Sequence, residues 1–247
     1  MQGLAQHEVH SGASSLLAEQ GWAVAINHRA SSAEIAGALV DKIRSEGGHA
    51  RAFEADVGVE ADVVAMFARA AEWGRLAGLV NNAGVVDVAA PLTDMSFERF
   101  RRIFDVNVLG TMVCAREAVK RMSTAGGGKG GAIVNLSSAS AKLGSPSQYI
   151  DYAAAKGAVD TFTVGLAKEV AREGIRVNAV RPGIIETEIH ASGGDPDRAA
   201  RMASDLPMGR AGTAEECAEA IAWLLSDAAS YTSGAILDVS GARAIVP

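Results

Sequence analysis

From residue 22 onward, short apolar runs alternate with stretches in which apolar residues recur every three or four positions. The first pattern marks buried strands and the second amphipathic helices. It predicts strands at residues 22–27, 50–55, 78–82, 132–136, 176–180 and 235–239. Helices are predicted at 31–47, opened by a serine cap, at 61–73, at 96–122 as one long element, at 152–172 and at 213–225. Regular strand–helix alternation implies a parallel sheet covered on both faces, with ligands at the carboxyl ends of its strands. The Gly/Asp/Pro-rich stretch 186–212 breaks the alternation and is expected to form a lid over that edge. The glycine run at 125–131 is expected to be a surface turn.

No interdomain linker or internal repeat interrupts the pattern, so all 247 residues are expected to form one α/β domain. No apolar run approaches the roughly 20 residues that span a bilayer, and no signal-peptide pattern opens the chain. A cytoplasmic protein without a membrane partner is expected. A net charge of -6 with no concentrated basic face argues against nucleic acid. Cys114 and Cys217 lie in helix-patterned segments without metal-ligand spacing and are expected to be buried thiols; no metal site is expected.

The candidate chemistry centres on Tyr152 and Lys156. Four residues apart in a helix, they project from one face. An ammonium beside a phenol favours the phenolate, lowering a pKa that starts at about 10, and so equips the oxygen to exchange a proton. His190 in the lid is expected to be a surface residue.

Further segments fall into a shared order: Asp56-Val57, Asn81-Asn82-Ala83-Gly84, Asn107 within Asp-Val-Asn-Val, Ser138 within Val-Asn-Leu-Ser-Ser, and the run from Arg181 through Pro182, Gly183 and Ile185 to Thr187. Together with Tyr152 and Lys156 they resemble the short-chain dehydrogenase/reductase family, from about residue 15 to the end. The resemblance implies a Rossmann-like doubly wound parallel sheet. It also implies reversible hydride transfer between a nicotinamide cofactor and a small carbonyl or secondary alcohol substrate.

In this likeness Asn107, Ser138, Tyr152 and Lys156 are the catalytic set. Ser138 would hold the substrate oxygen, Tyr152 would exchange its proton, and Lys156 would lower the tyrosine pKa and hold the nicotinamide ribose. Asn107 would support a water-linked relay from the lysine. Asp56 and Val57 would meet the adenine, although Asp56 could equally cap a helix. Asn82 and Gly84 would line the cofactor, and Pro182, Gly183, Ile185 and Thr187 would flank the nicotinamide. Tyr149, which has no lysine four residues on, would line the substrate side. After the strand at 22–27, Asn27-His28-Arg29 stands where NAD-preferring relatives carry an acid, so Arg29 favours a 2′-phosphate and hence NADP over NAD. The segments 96–122 and 152–172 resemble the helices through which the family forms dimers and tetramers, which implies a homo-oligomer.

The chain departs from the family at its start. The glycine-rich turn that meets the pyrophosphate, and the apolar strand before it, are missing or irregular. In one alignment its glycine positions fall on Leu4, Glu8 and His10; in another, residues 9–15 are a shortened remnant of that turn. An absent central strand would leave sheet edges unpaired. Three readings stay open: an altered form of an intact enzyme, an irregular substitute strand from the N-terminal segment, or loss of tight dinucleotide binding. The last would make the protein a non-redox pseudoenzyme or a lyase-like protein on the same scaffold.

Overall fold

In the computed structural model, which describes residues 7–187 and 193–245, six strands are all parallel to their partners but form two sheets. β1 (Ala23–His28) pairs with β2 (His49–Glu54). β3 (Gly78–Asn81), β4 (Gly131–Leu136), β5 (Ile175–Pro182) and β6 (Ile236–Val239) form the second sheet in that order. The helices are α1 (His7–Glu19), α2 (Ala33–Ser45), α3 (Glu60–Trp73), α4 (Phe97–Phe104), α5 (Thr111–Met122), α6 (Ser140–Leu143), α7 (Ile150–Val170), α8 (Arg198–Met202) and α9 (Ala214–Leu225).

Alternation along β4 shows why helices cover both faces. Ile133 packs with Val63, Phe67, Cys114, Ala118, Met122 and Val177 on one side. Ala132, Val134 and Leu136 pack with Leu17, Val180, Ile221 and Leu224 on the other. Successive strand residues point to opposite faces, so a strand with apolar residues on both faces needs two covers. Full burial of each such branched side chain contributes roughly 1.5–3 kcal/mol before entropy is counted.

Two expected helices take a different form. The element anticipated at 96–122 is interrupted by a π-helical segment, Asp105–Gly110, between α4 and α5. Ser96 caps α4 by accepting from the Arg99 N–H. In α2 the N-cap is Ser32, whose side chain makes no capping bond. Thr213 and Glu216 instead form a reciprocal capping box on α9.

The N-terminal half contains the main departure from a continuous sheet. Residues 9–15 lie within α1, so they are helix and not a remnant of a strand-to-helix turn. Glu8 also falls in α1, while Leu4 and the other residues before His7 lie outside the described part. No described strand stands between β1 and β3. A cleft of about 800 Å³ occupies that position, walled by Ala23, Val24 and Ala25 of β1 and by Leu79 and Val80 of β3. Trp22 closes one end: a Cβ added to Gly78 would lie 3.2 Å from its ring. Ala25 is consequently exposed in the middle of a strand, and β3 is only partly buried up to Asn81. Among the described residues, the expected gap is present between β1 and β3.

Candidate active site

α7 carries Tyr152 and Lys156 into a cavity of about 130 Å³ at the carboxyl ends of β4 and β5. Ser138, just beyond β4, shares a hydrogen bond with the Tyr152 phenol, and its hydroxyl oxygen accepts from the Ser140 N–H at 3.1 Å. The Lys156 ammonium donates to the Leu136 carbonyl at 2.6 Å and stands 5.6 Å from the centre of the Tyr152 ring. Ser137 donates to the Lys156 carbonyl at 3.3 Å, tying α7 to the end of β4. Both side chains are buried, Lys156 at 2% exposure.

That burial reverses one expectation. Removal from water pushes the Tyr152 phenol up to about 12, with the Ser138 bond opposing the shift. It pulls the Lys156 ammonium down to about 8, with the Asp160 carboxylate opposing. Desolvation disfavours whichever form is charged, and here it outweighs the help the lysine was expected to give the phenolate. At neutral pH the site therefore holds an un-ionised phenol beside a protonated lysine.

Asn107 has no exposed surface. It lies in the π-helical segment, donates to the carbonyls of Ile103 at 2.8 Å and Val85 at 2.9 Å, and accepts from the Val85 N–H at 3.2 Å. The widened turn lets an amide sit in an apolar helix with its bonding capacity used, and such bulges are frequent at functional sites. Asn107 thus clamps the loop after β3. It is bonded to backbone rather than to Lys156, so the expected link between the two is not a direct one.

The expected cofactor residues divide between two adjoining cavities. Arg29, Asp56, Val57 and Gly84 line the large cleft, and Pro182, Gly183, Ile185 and Thr187 line the small one; Asn82 lines both. Asp56 accepts from the Gly58 N–H at 2.8 Å, so its carboxylate already orders the turn before α3. Asn27 donates to the Phe53 and Ala55 carbonyls, which takes it out of ligand binding. A Cβ on Gly183 would come within 2.8 Å of Ser240 Cα, so only glycine lets this segment lie against the loop after β6.

Sequence reading missed the polar scaffolding. A buried chain runs from Asn81 to Asn135 and from Asn135 to Thr163, both bonds at 2.9 Å, joining β3, β4 and α7. Arg181 donates twice to Asp160, one helical turn beyond Lys156. Arg99 clasps Asp151, the neighbour of Tyr152. The available signal was a polar residue inside an apolar run, as at Asn135, which needs a buried partner. Tyr149 lies on the cavity wall, as expected for the substrate side, with its hydroxyl donating to the Gly193 carbonyl at 3.2 Å. His190 falls outside the described residues.

Residues 4–241 match a family model described as enoyl-(acyl carrier protein) reductase. The chain is 50% identical over 229 residues to the uncharacterized oxidoreductase YgfF of Escherichia coli, covering 92% of each chain. The chain belongs to the short-chain dehydrogenase/reductase family.

Another short-chain relative is the cis-4-hydroxycyclohexanecarboxylate dehydrogenase of Sinomonas cyclohexanicum, 43% identical over 92% of this chain and 88% of that one. Among solved structures, a gluconate 5-dehydrogenase from Burkholderia cenocepacia in complex with NADP and tartrate superposes with a TM-score of 0.85. It is 33% identical, and the match covers 95% of this chain and 90% of the other. The fold is therefore the α/β Rossmann type of short-chain enzymes, and a redox function is what these relatives share. Among the described residues, no helix is long and apolar enough to cross a membrane.

Proposed function

We propose that this short-chain oxidoreductase transfers hydride between NADP(H) and a small carbonyl or secondary alcohol. One observation carries the reading: Ser138, Tyr152 and Lys156 line one cavity together with the segment from Pro182 to Thr187. Such a set can hold a substrate oxygen and pass it a proton within hydrogen-bond reach.

The residues present fit the two ends of a dinucleotide. Among the residues lining the large cleft, Arg29, Asp56, Val57, Asn82 and Gly84 would meet the adenosine portion. Arg29 supports a 2′-phosphate and hence NADP, as do the NADP-bound relatives. Pro182, Gly183, Ile185 and Thr187 would border the nicotinamide, and Lys156 would bond its ribose. The glycine-rich phosphate turn has no counterpart at the start of α1. Affinity must therefore come mainly from the ends, and looser cofactor binding is expected.

When bound, the nicotinamide supplies the hydride. Ser138 orients the substrate oxygen and shares its hydrogen bond with Tyr152. Tyr152, un-ionised at neutral pH, donates its proton to the oxygen as the carbonyl is reduced. Lys156 stays protonated below about 8 and carries positive charge next to the phenolate that results.

The open cleft between β1 and β3 favours a second reading, a short-chain scaffold that no longer holds dinucleotide tightly. Titration with NADPH, followed by fluorescence or calorimetry, separates the two. Saturable binding with turnover on a carbonyl panel supports the redox reading, and no binding up to millimolar cofactor supports the other. We also propose that the chain assembles with itself through α4, the π-helical segment after it and α7, where Phe97, Leu109 and Ile150 are exposed; sedimentation velocity tests this.

A further inference from the structure

The small cavity that holds Tyr152 also contains two arginines that the reaction does not use. Arg198, from α8, and Arg243, from the turn after β6, both line it. Two other arginines near this site face carboxylates: Arg99 faces Asp151, and Arg181 faces Asp160. Among the described residues, Arg198 and Arg243 do not. Arg198 donates to the Gln148 side-chain oxygen at 3.0 Å and lies 5.3 Å from the centre of the Tyr149 ring, which fixes its guanidinium against the wall. Arg243 is half-buried, and among the described residues its guanidinium has neither a hydrogen bond nor an ion pair. Burial and the neighbouring Arg198 charge both disfavour its protonated form.

With Lys156, three cations and no Asp or Glu line this space among the described residues. The Arg198 and Arg243 charges, on the lining of one cavity, repel each other, and desolvation of Arg243 adds to the cost. An anion seated between them removes both penalties, and a planar carboxylate matches the guanidinium fork. The remaining polar groups, Ser138 and Tyr152, suit a hydroxyl or carbonyl oxygen. At about 130 Å³ the space favours a compact molecule.

We propose that the substrate is a compact hydroxy acid or oxo acid whose carboxylate is bound by Arg243 and Arg198 while its reacting oxygen meets Ser138 and Tyr152. The assignment names the substrate class of the site read above as redox, and it rests on that reading for the reaction but not for the binding.

The test therefore measures binding without turnover. Benzoate and benzamide share shape and differ in charge, so their dissociation constants for the full chain are compared by calorimetry or NMR titration. Charge-assisted bonds to a carboxylate predict benzoate tighter by about tenfold or more. The preference should shrink with salt and fall to about onefold in Arg243→Gln, while Arg243→Lys keeps part of it. Arg198→Gln gives a second loss of preference if the first variant folds poorly. Equal binding of the two probes, binding of neither, or an undiminished preference in both glutamine variants overturns the proposal. NADPH titration of the same variants separates substrate from cofactor. Unchanged NADPH affinity is expected, whereas a loss matching that of benzoate would assign the arginines to a cofactor phosphate. Carboxylate selectivity in a protein that does not bind NADPH would refute the redox reading and leave the anion site standing.

Discussion

Arg99 grips Asp151 through two nitrogens, at 2.7 and 3.1 Å, one residue before the tyrosine of the site. A third guanidinium N–H bonds the Val88 carbonyl, so one side chain joins α4, the loop after β3 and the first turn of α7. Asp151 is almost wholly enclosed, with 1% of its side chain exposed. The pair sets where α7 begins, and hence where Tyr152 points. Removing one partner strands a buried charge. Arg99→Met should therefore cost about 3–5 kcal/mol in denaturant unfolding. A loss below about 1 kcal/mol would show that the pair does not anchor the helix.

Replacing Tyr152 by Phe removes the proton donor and little packing. Carbonyl reduction should fall by about 10²–10⁴-fold, with the unfolding midpoint nearly unchanged. Steady-state kinetics with NADPH on a carbonyl panel would check this, and near-normal turnover would remove Tyr152 from the mechanism.

Lys156 should titrate in the free protein at about 8, visible by NMR of labelled lysine. The sign for stability follows. Its folded pKa lies below the ordinary lysine value of 10.5, so between about 8 and 10.5 the unfolded chain binds more protons. Stability should rise with pH across that window through this group, and Lys156→Met should abolish its contribution. A lysine that stays protonated up to its ordinary range would contradict the burial seen here.

The cleft makes a prediction opposite to that for an unbroken sheet. Lysine at a mid-strand position in a central strand, buried on both faces, would be severely destabilising. Ala25 borders open space, so Ala25→Lys should change stability by no more than about 1 kcal/mol. Amides on the unpaired sides of β1 and β3 should exchange faster than those in the β4–β5 ladder, as hydrogen-exchange mass spectrometry would register. A large destabilisation, or uniform protection across β1 and β3, would mean that the gap is filled in solution.

Much of this molecule was legible from local order. Apolar periodicity located the strands to within a residue or two because strand and helix periods are properties of neighbouring positions. The spacing of Tyr152 and Lys156 required one helix face, and the missing glycine turn announced the gap between β1 and β3. An amide inside an apolar helix at Asn107 called for a partner or a local helix distortion, but which partner was not legible, since it depends on Val85 offering both its backbone groups to the amide. Nor was the direction of the Tyr152 and Lys156 shifts, because desolvation depends on everything packed around a group and not on its partner in the chain. The meeting of Arg198 with Arg243, 45 positions apart, likewise came only from folding.

By itself, then, the order of residues determined the α/β alternation, the family and the set of candidate side chains, all of which rest on short-range spacing. Tertiary structure alone decided which of those side chains lose water, which charges lack a counterion among the described residues, and how wide the slot between β1 and β3 is. Those quantities are set by distances between segments far apart along the chain.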